Sequence, residues 1–250
     1  MSHLVILQTC LEQEELLRSS FKNALAIKTI ESTDTYESVI DGVDLTQVSH
    51  VAFVYHSQGP AFVPFFRVEE TFDASLGKIV DASGEEIDST VPLSEKMIEF
   101  MQKVKEQSSE CVFDMLSCNM NSTEFKDEVT RVEEELGVDI RYSIDNTGNP
   151  SYGNWVLESD NVEVKSLYFN DTIEQWTGIL GALTPANTPE LILEGTTYKL
   201  TSDLNINSRN LYIEFTTSNG AVSFDGQGYK ITLTGAARSL CTGIFFAGSG

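Results

Sequence analysis

A chain of 250 residues, 41 % apolar and 22 % charged, is long enough to bury a sizeable core, and its composition excludes disorder, a collagen repeat and a disulfide scaffold. The formal charge is −22, and it is unevenly placed: five of the 38 acids and four of the 16 bases follow Leu183, leaving 33 acids and 12 bases, −21, before it. Such a surface repels nucleic acid and anionic membrane, so neither is expected as a partner; solubility is the plain reason for the charge, and a basic partner is the alternative.

The first part alternates strand and helix signals. His3–Thr9 is a short apolar run with β-branched residues and reads as a buried strand. Leu11, Leu16, Leu17, Phe21 and Leu25 fall on spacings that one helix face satisfies. Leu25–Ile30 reads as a second strand, Tyr36, Val39, Ile40 and Val43 as a short helix, and Val48–Tyr55 as a third strand. A stretch rich in loop residues runs from Ser57 to Pro92. Ser94 is an N-cap for a helix to Lys105 whose apolar face is Met97, Ile98, Met101 and Val104. Cys111–Leu116 is a fourth strand, Ser122–Leu136 an acidic helix stopped by Gly137, and Val138–Ser143 a fifth strand. Trp155–Leu157 with Val162–Tyr168 reads as a hairpin, and Asp171–Leu183 as a closing helix. This rhythm predicts an α/β domain over residues 1–183, with a mainly parallel sheet covered by helices on both faces.

The texture then changes. Residues 184–195, opening Thr184-Pro185-Ala186-Asn187-Thr188-Pro189, read as a linker, because two prolines bar a helix. Thr196–Leu200, Leu204–Ile206, Leu211–Phe215, Ala221–Phe224 and Lys230–Leu233 are short strands between Gly, Asn, Asp and Ser turns. The stretch from Val222 to Leu233 is similar to the rungs of right-handed parallel β-helices, so residues 196–250 are expected to begin a parallel β-solenoid. The last residues, Phe245 to Gly250, are apolar and uncapped, which leads to the expectation that a longer polypeptide follows.

The motifs for common chemistries are missing. There is no Walker loop, no G-x-G-x-x-G and no H-E-x-x-H, and Cys10, Cys111, Cys118 and Cys241 form no C-x-x-C pair. No cofactor and no metal site are expected. No run of about 18 to 20 apolar residues exists, so no membrane insertion is expected. The opening residues lack the basic lead of a secretory signal, which leaves free thiols as the default and the location unknown.

Phe113-Asp114-Met115-Leu116-Ser117-Cys118-Asn119, Ser143-Ile144-Asp145-Asn146-Thr147-Gly148 and Gly153-Asn154-Trp155-Val156-Leu157-Glu158 carry a resemblance to an α/β module at the N-termini of very large, repeat-rich proteins of bacteria and some large DNA viruses. It covers roughly the first two thirds of the chain. It implies an anchoring head before an adhesive or structural repeat region, with other subunits of a surface or particle assembly as partners.

The same part also resembles the caspase and gingipain class of cysteine peptidases. There a histidine follows one buried strand and a nucleophilic cysteine follows the next; here His56 follows Val48–Tyr55 and Cys118 follows Cys111–Leu116. Both would lie at carboxyl ends of neighbouring parallel strands, where open α/β sheets place their sites. The chemistry needs a thiolate, whose population an imidazole raises. That class has Gly directly after the His, whereas Ser57 and Gln58 precede Gly59 here, so the oxyanion donor is expected to be misplaced. A buried structural cysteine beside an incidental histidine is the bland reading.

Other candidates have similar alternatives. Cys10 ends a strand and would approach Cys118, as a redox pair or as two separate core thiols. Asp145, Asn146 and Thr147 before Gly148 suit a cation or a peptide end, and equally a tight turn; Trp155 suits a binding platform or a core anchor. Three functions stay open: a non-catalytic anchoring head of a surface, adhesin-like or virion protein; a peptidase acting through His56 and Cys118, with self-processing conceivable; and a catalytic solenoid using Asp203, Glu214 or Asp225.

Overall fold

The computed structural model describes residues 2–9, 11, 13–31, 33–57, 63–67, 71–73, 78–80, 91–151, 153–181, 191–194, 197–201, 204–206 and 223–233. Cys10, Cys241, Asp203, Glu214, the 184–189 linker and the strand expected at 211–215 lie outside them. The chain divides into two compact units, Met1–Thr9 with Glu15–Gly181 and Cys10–Glu14 with Ala182–Gly250.

The elements of the first unit are β1 (Ser2–Gln8), α1 (Glu14–Ser20), β2 (Ala24–Ile30), α2 (Tyr36–Ile40), β3 (Val48–Val54), β4 (Thr71–Asp73), β5 (Lys78–Val80), α3 (Glu95–Gln107), β6 (Val112–Leu116), α4 (Thr123–Leu136), β7 (Asp139–Tyr142), β8 (Val156–Leu157), β9 (Val162–Glu163) and α5 (Lys165–Tyr168). The five strands foreseen from apolar runs form one sheet in the order β2-β1-β3-β6-β7, every pair parallel. Chain order reverses between β1 and β3, so the carboxyl ends of these central strands open at a topological switch point.

Strands buried on both faces need cover on both. One face packs Leu4, Ile6, Val51, Phe53, Tyr55, Phe113, Met115 and Ile140 against Tyr36 and Val39 of α2, Met97, Phe100, Met101 and Val104 of α3, and Phe125, Val129 and Val132 of α4. Each such fully buried Phe contributes about 1.5–3 kcal/mol by leaving water. The helices have the expected ends. Ser94 and Ser122 accept the N–H of Met97 and Phe125, each at 3.1 Å, and Gly137 closes α4 in the left-handed region at φ 63°. On the other face, Phe21 bridges Phe169, and Trp155, Phe169 and Trp176 stack together.

Two expectations about the end of this unit are corrected. Val162–Tyr168 is not one strand: β8 and β9 make a two-residue hairpin pairing, and the chain then turns into α5. Asp171–Leu183 is not a closing helix. A 3-10 turn covers only Asp171–Gln175, after which the chain extends, and Ile179 bridges antiparallel to Gly148. Helix geometry would leave the backbone of 147–149 without these partners, and Gly178 and Gly181 favour leaving the helix.

In the second unit, β10 (Leu191–Glu194) pairs antiparallel with β11 (Thr197–Leu200), so a strand lies in the segment expected to be linker. β11 pairs in parallel with β13 (Ser223–Asp225), and β12 (Leu204–Ile206) with β14 (Ile231–Leu233).

Candidate functional site

The parallel pairing of β3 with β6 brings the two expected residues to one end of the sheet. The pairing runs one residue past β3, Tyr55 N–H donating to Leu116 O at 3.3 Å; His56 follows Tyr55 directly, and Cys118 follows Leu116 after Ser117. His56 N–H donates to the side-chain Oε1 of Gln8 at 2.9 Å, which ties the end of β3 to the end of β1 across the switch point. His56 is 3 % exposed and Cys118 fully buried.

The loop after β7 encloses the sulfur. Thr147 N–H points at Cys118 Sγ at 3.1 Å, and Sγ lies 3.5 Å from Thr147 O, so one residue offers a donor to the thiolate and an acceptor to the thiol. Thr147 Oγ1 donates to Ser117 O at 2.7 Å and fixes the turn that carries the cysteine. Thr147, singled out as a binding residue, is thus buried and part of the cysteine's surroundings. Asp145 and Asn146 brace the same loops. Asp145 O accepts from Asn119 N at 2.7 Å, its carboxylate takes the Asn154 amide at 3.0 Å, and Asn146 Oδ1 accepts from Asn119 at 3.1 Å. The Asp145 carboxyl sits above the ordinary range, because of partial burial and then the nearby Glu158. Trp155 is not in this group; it packs on Phe169 and Trp176, with ring centres 4.6 and 5.8 Å apart.

Over this end lies a strap of the same unit, Gly178–Gly181. Leu180 N–H donates to Thr147 O at 2.9 Å, and Asn149 N–H donates to Gly178 O at 2.9 Å, an antiparallel addition to the loop after β7. The Leu180 carbonyl oxygen then accepts the N–H of Cys118 at 2.8 Å and, at a long 3.4 Å, the N–H of Ser57. The Ser117 hydroxyl lies 3.4 Å from the same oxygen. Ser57, expected to displace the donor, itself aims its N–H at this atom. Gly181 comes next, and a Cβ there would stand 2.6 Å from Cys118 Cβ and 2.8 Å from Sγ, closer than a side chain tolerates.

A second polar group was missed. On the face opposite the main apolar core, four adjacent strands each place one titratable side chain: His3 on β1, His50 on β3, Asp114 on β6 and Arg141 on β7, in registers that pair His3 with His50 and Asp114 with Arg141. Arg141 grips Asp114 through both oxygens at 2.7 and 2.8 Å and meets His50 Nδ1 at 3.1 Å, and Tyr168 of α5 donates its hydroxyl to Asp114. The His3 ring stands edge-on to His50 and Tyr168. Neither His3 ring nitrogen makes a hydrogen bond of normal geometry, and its pKa is lowered to about 4, first by burial, then by His50 and the N-terminal amine; Asp114 and the Leu167 carbonyl pull weakly the other way. Only β6, with Asp114 inside Val112–Leu116, shows in the sequence a polar residue interrupting an apolar run; His3 and His50 each follow a serine near the start of their strands, and Arg141 lies in the mixed strand Asp139–Tyr142.

Cys111 is a different thiol, because burial, followed by Asp114, pushes its pKa up to about 12. Among the described residues no three His, Cys, Asp or Glu side chains are arranged to hold a metal ion, and no helix is long and apolar enough to cross a membrane. Compared with known proteins, the chain matches no family, no curated protein and no solved structure.

Proposed function

We propose that the head is a cysteine-dependent acyl-transfer unit of caspase-like type, with Cys118 as nucleophile and His56 as its base. The observation that carries this reading is the pair of N–H groups, from Cys118 and from the residue directly after His56, that converge on one carbonyl oxygen. An acyl-transfer site needs such a pair where negative charge develops, and a water-excluded setting strengthens it. The Thr147 N–H on Sγ supplies a further dipole for the thiolate. The sheet order 2-1-3 and the position past neighbouring parallel strands also support the reading.

The test is site-resolved alkylation of the reduced protein by iodoacetamide. Cys118 should react faster than Cys111 at neutral pH, and His56→Ala should slow Cys118 at least ~10-fold by removing the base. If Cys118 reacts no faster than Cys111, the peptidase reading fails.

A second reading has its own support. The described strands of the second unit pair in parallel about 26 residues apart, Thr197 with Ser223 and Leu204 with Ile231, a period within the range of solenoid repeats. That spacing supports an anchoring head before a β-solenoid, and the burial of both His56 and Cys118 suits a non-catalytic head; a surface or particle assembly with other subunits as partners is the setting this second reading proposes. Its mark is a head whose Cys118→Ala variant behaves as wild type in every assay.

A further inference from the structure

We infer that the substrate of this site is a bond of the chain itself, Leu180–Gly181; the inference rests on the acyl-transfer reading above. Three independent features single out this bond. Its carbonyl oxygen is the atom on which the Cys118 and Ser57 N–H groups converge. The residues before it are held as an extended peptide, with Leu180 N–H on Thr147 O and Gly178 O on Asn149 N–H, as a bound peptide is held by β-addition. The residue after it is a glycine packed beside the sulfur, where any side chain would collide with Cys118. The bond also lies at the end of the first compact unit, so a cut there severs that unit from the strands that follow.

The burial of Cys118 has a direct explanation on this view, because Gly181 occupies the approach a foreign peptide would need. The step balances without any foreign oxidant or cofactor. The Cys118 thiol gives its proton to His56, and the thiolate attacks the Leu180 carbonyl carbon, forming a C–S bond. The oxyanion is held by the N–H groups of Cys118 and Ser57. Collapse breaks the bond from Leu180 carbon to Gly181 nitrogen, and the His56 proton passes to that nitrogen, leaving a free amine at Gly181. Water then adds its hydroxide to the Leu180 carbonyl carbon, the C–S bond breaks and the proton goes to sulfur, giving the thiol and the Leu180 carboxylic acid, which releases a proton to solvent to become the carboxylate. The long Ser57 contact suits a ground state that tightens as charge develops on the oxygen.

The experiment follows the purified, reduced 250-residue chain at neutral pH by intact mass and N-terminal sequencing. The expected product begins Gly181-Ala182-Leu183-Thr184-Pro185. Cys118→Ala should stay whole, as should Cys118→Ser, which nearly preserves shape should alanine impair folding. Gly181→Ala should cleave at least ~10-fold more slowly, because the added methyl pushes the bond off the sulfur. A wild type that stays whole, or that is cut at another bond, overturns the inference. Fast, His56-dependent alkylation of Cys118 in a chain that stays whole overturns the bond assignment alone, whereas an inert Cys118 in a whole chain removes the reading beneath it as well.

Discussion

His3 is where one side chain sets a property of the fold. Its ring is 1 % exposed, and its folded pKa is about 4 against an ordinary 6.5, with burial the largest cause. The unfolded chain takes up a proton near pH 6.5 and the folded chain only near pH 4, so between these values the unfolded state binds more protons. The stability this histidine contributes is therefore present above about pH 6.5 and is lost as the pH falls toward 4, about 3 kcal/mol in all at 1.36 kcal/mol per unit. His3→Phe keeps a ring against His50 and Tyr168 but cannot take a proton. Urea unfolding of both proteins from pH 7 to 4 should show the variant losing less stability, and parallel curves would show that His3 does not carry this acid sensitivity. The Asp114–Arg141 pair beside it differs in kind, since two charges buried together hold each other's cost in check and removal of either strands its partner.

At the scale of elements, helix α4 joins the strands that hold Asp114 and Arg141, so its ends matter to the network. Ser122→Ala removes the acceptor for Phe125 N–H and should cost about 1 kcal/mol in denaturant unfolding, with the slope unchanged. The start of this helix at Ser122 was legible in the sequence, though not its capping role, and so was each strand of the main sheet, because an apolar run between turn residues has few other uses in a chain of this class. His56 and Cys118 were legible for the same reason: a polar residue just past a buried strand has its place set by the strand. The strap was not. Ile173, Trp176, Ile179 and Leu180 stand at helical spacing, and only tertiary pairing with 147–149 makes that stretch extended. Leu180 itself carries no sequence signal, because the atom that matters is a backbone carbonyl, which every residue possesses. The buried charge network was visible residue by residue but not as a group, since its members lie on strands far apart in sequence and only the order β1-β3-β6-β7 sets them side by side.

For the whole molecule the dominant quantity is charge. A formal −22, nearly all of it before Leu183, makes the sheet-bearing unit repel itself, and like charges on a folded surface stand closer together than in the unfolded chain. Salt should therefore stabilise this protein. Raising ionic strength from about 0.01 M to about 0.15 M shortens the screening length from roughly 30 Å to roughly 8 Å, less than the width of a domain, so repulsion across the unit is cut while short pairs such as Asp114 with Arg141, being buried, are little affected. The unfolding temperature of this unit should rise by several degrees over that range at pH 7, followed by differential scanning calorimetry. The control is acidity. Near pH 4.3, the isoelectric point of the chain, the net charge vanishes and so should most of the salt dependence. A salt response that is the same at both pH values would assign the effect to general exclusion of ions from apolar surface rather than to relief of self-repulsion. In the same scan the second unit, nearly neutral after Leu183, should move little with salt, which separates its transition from that of the first.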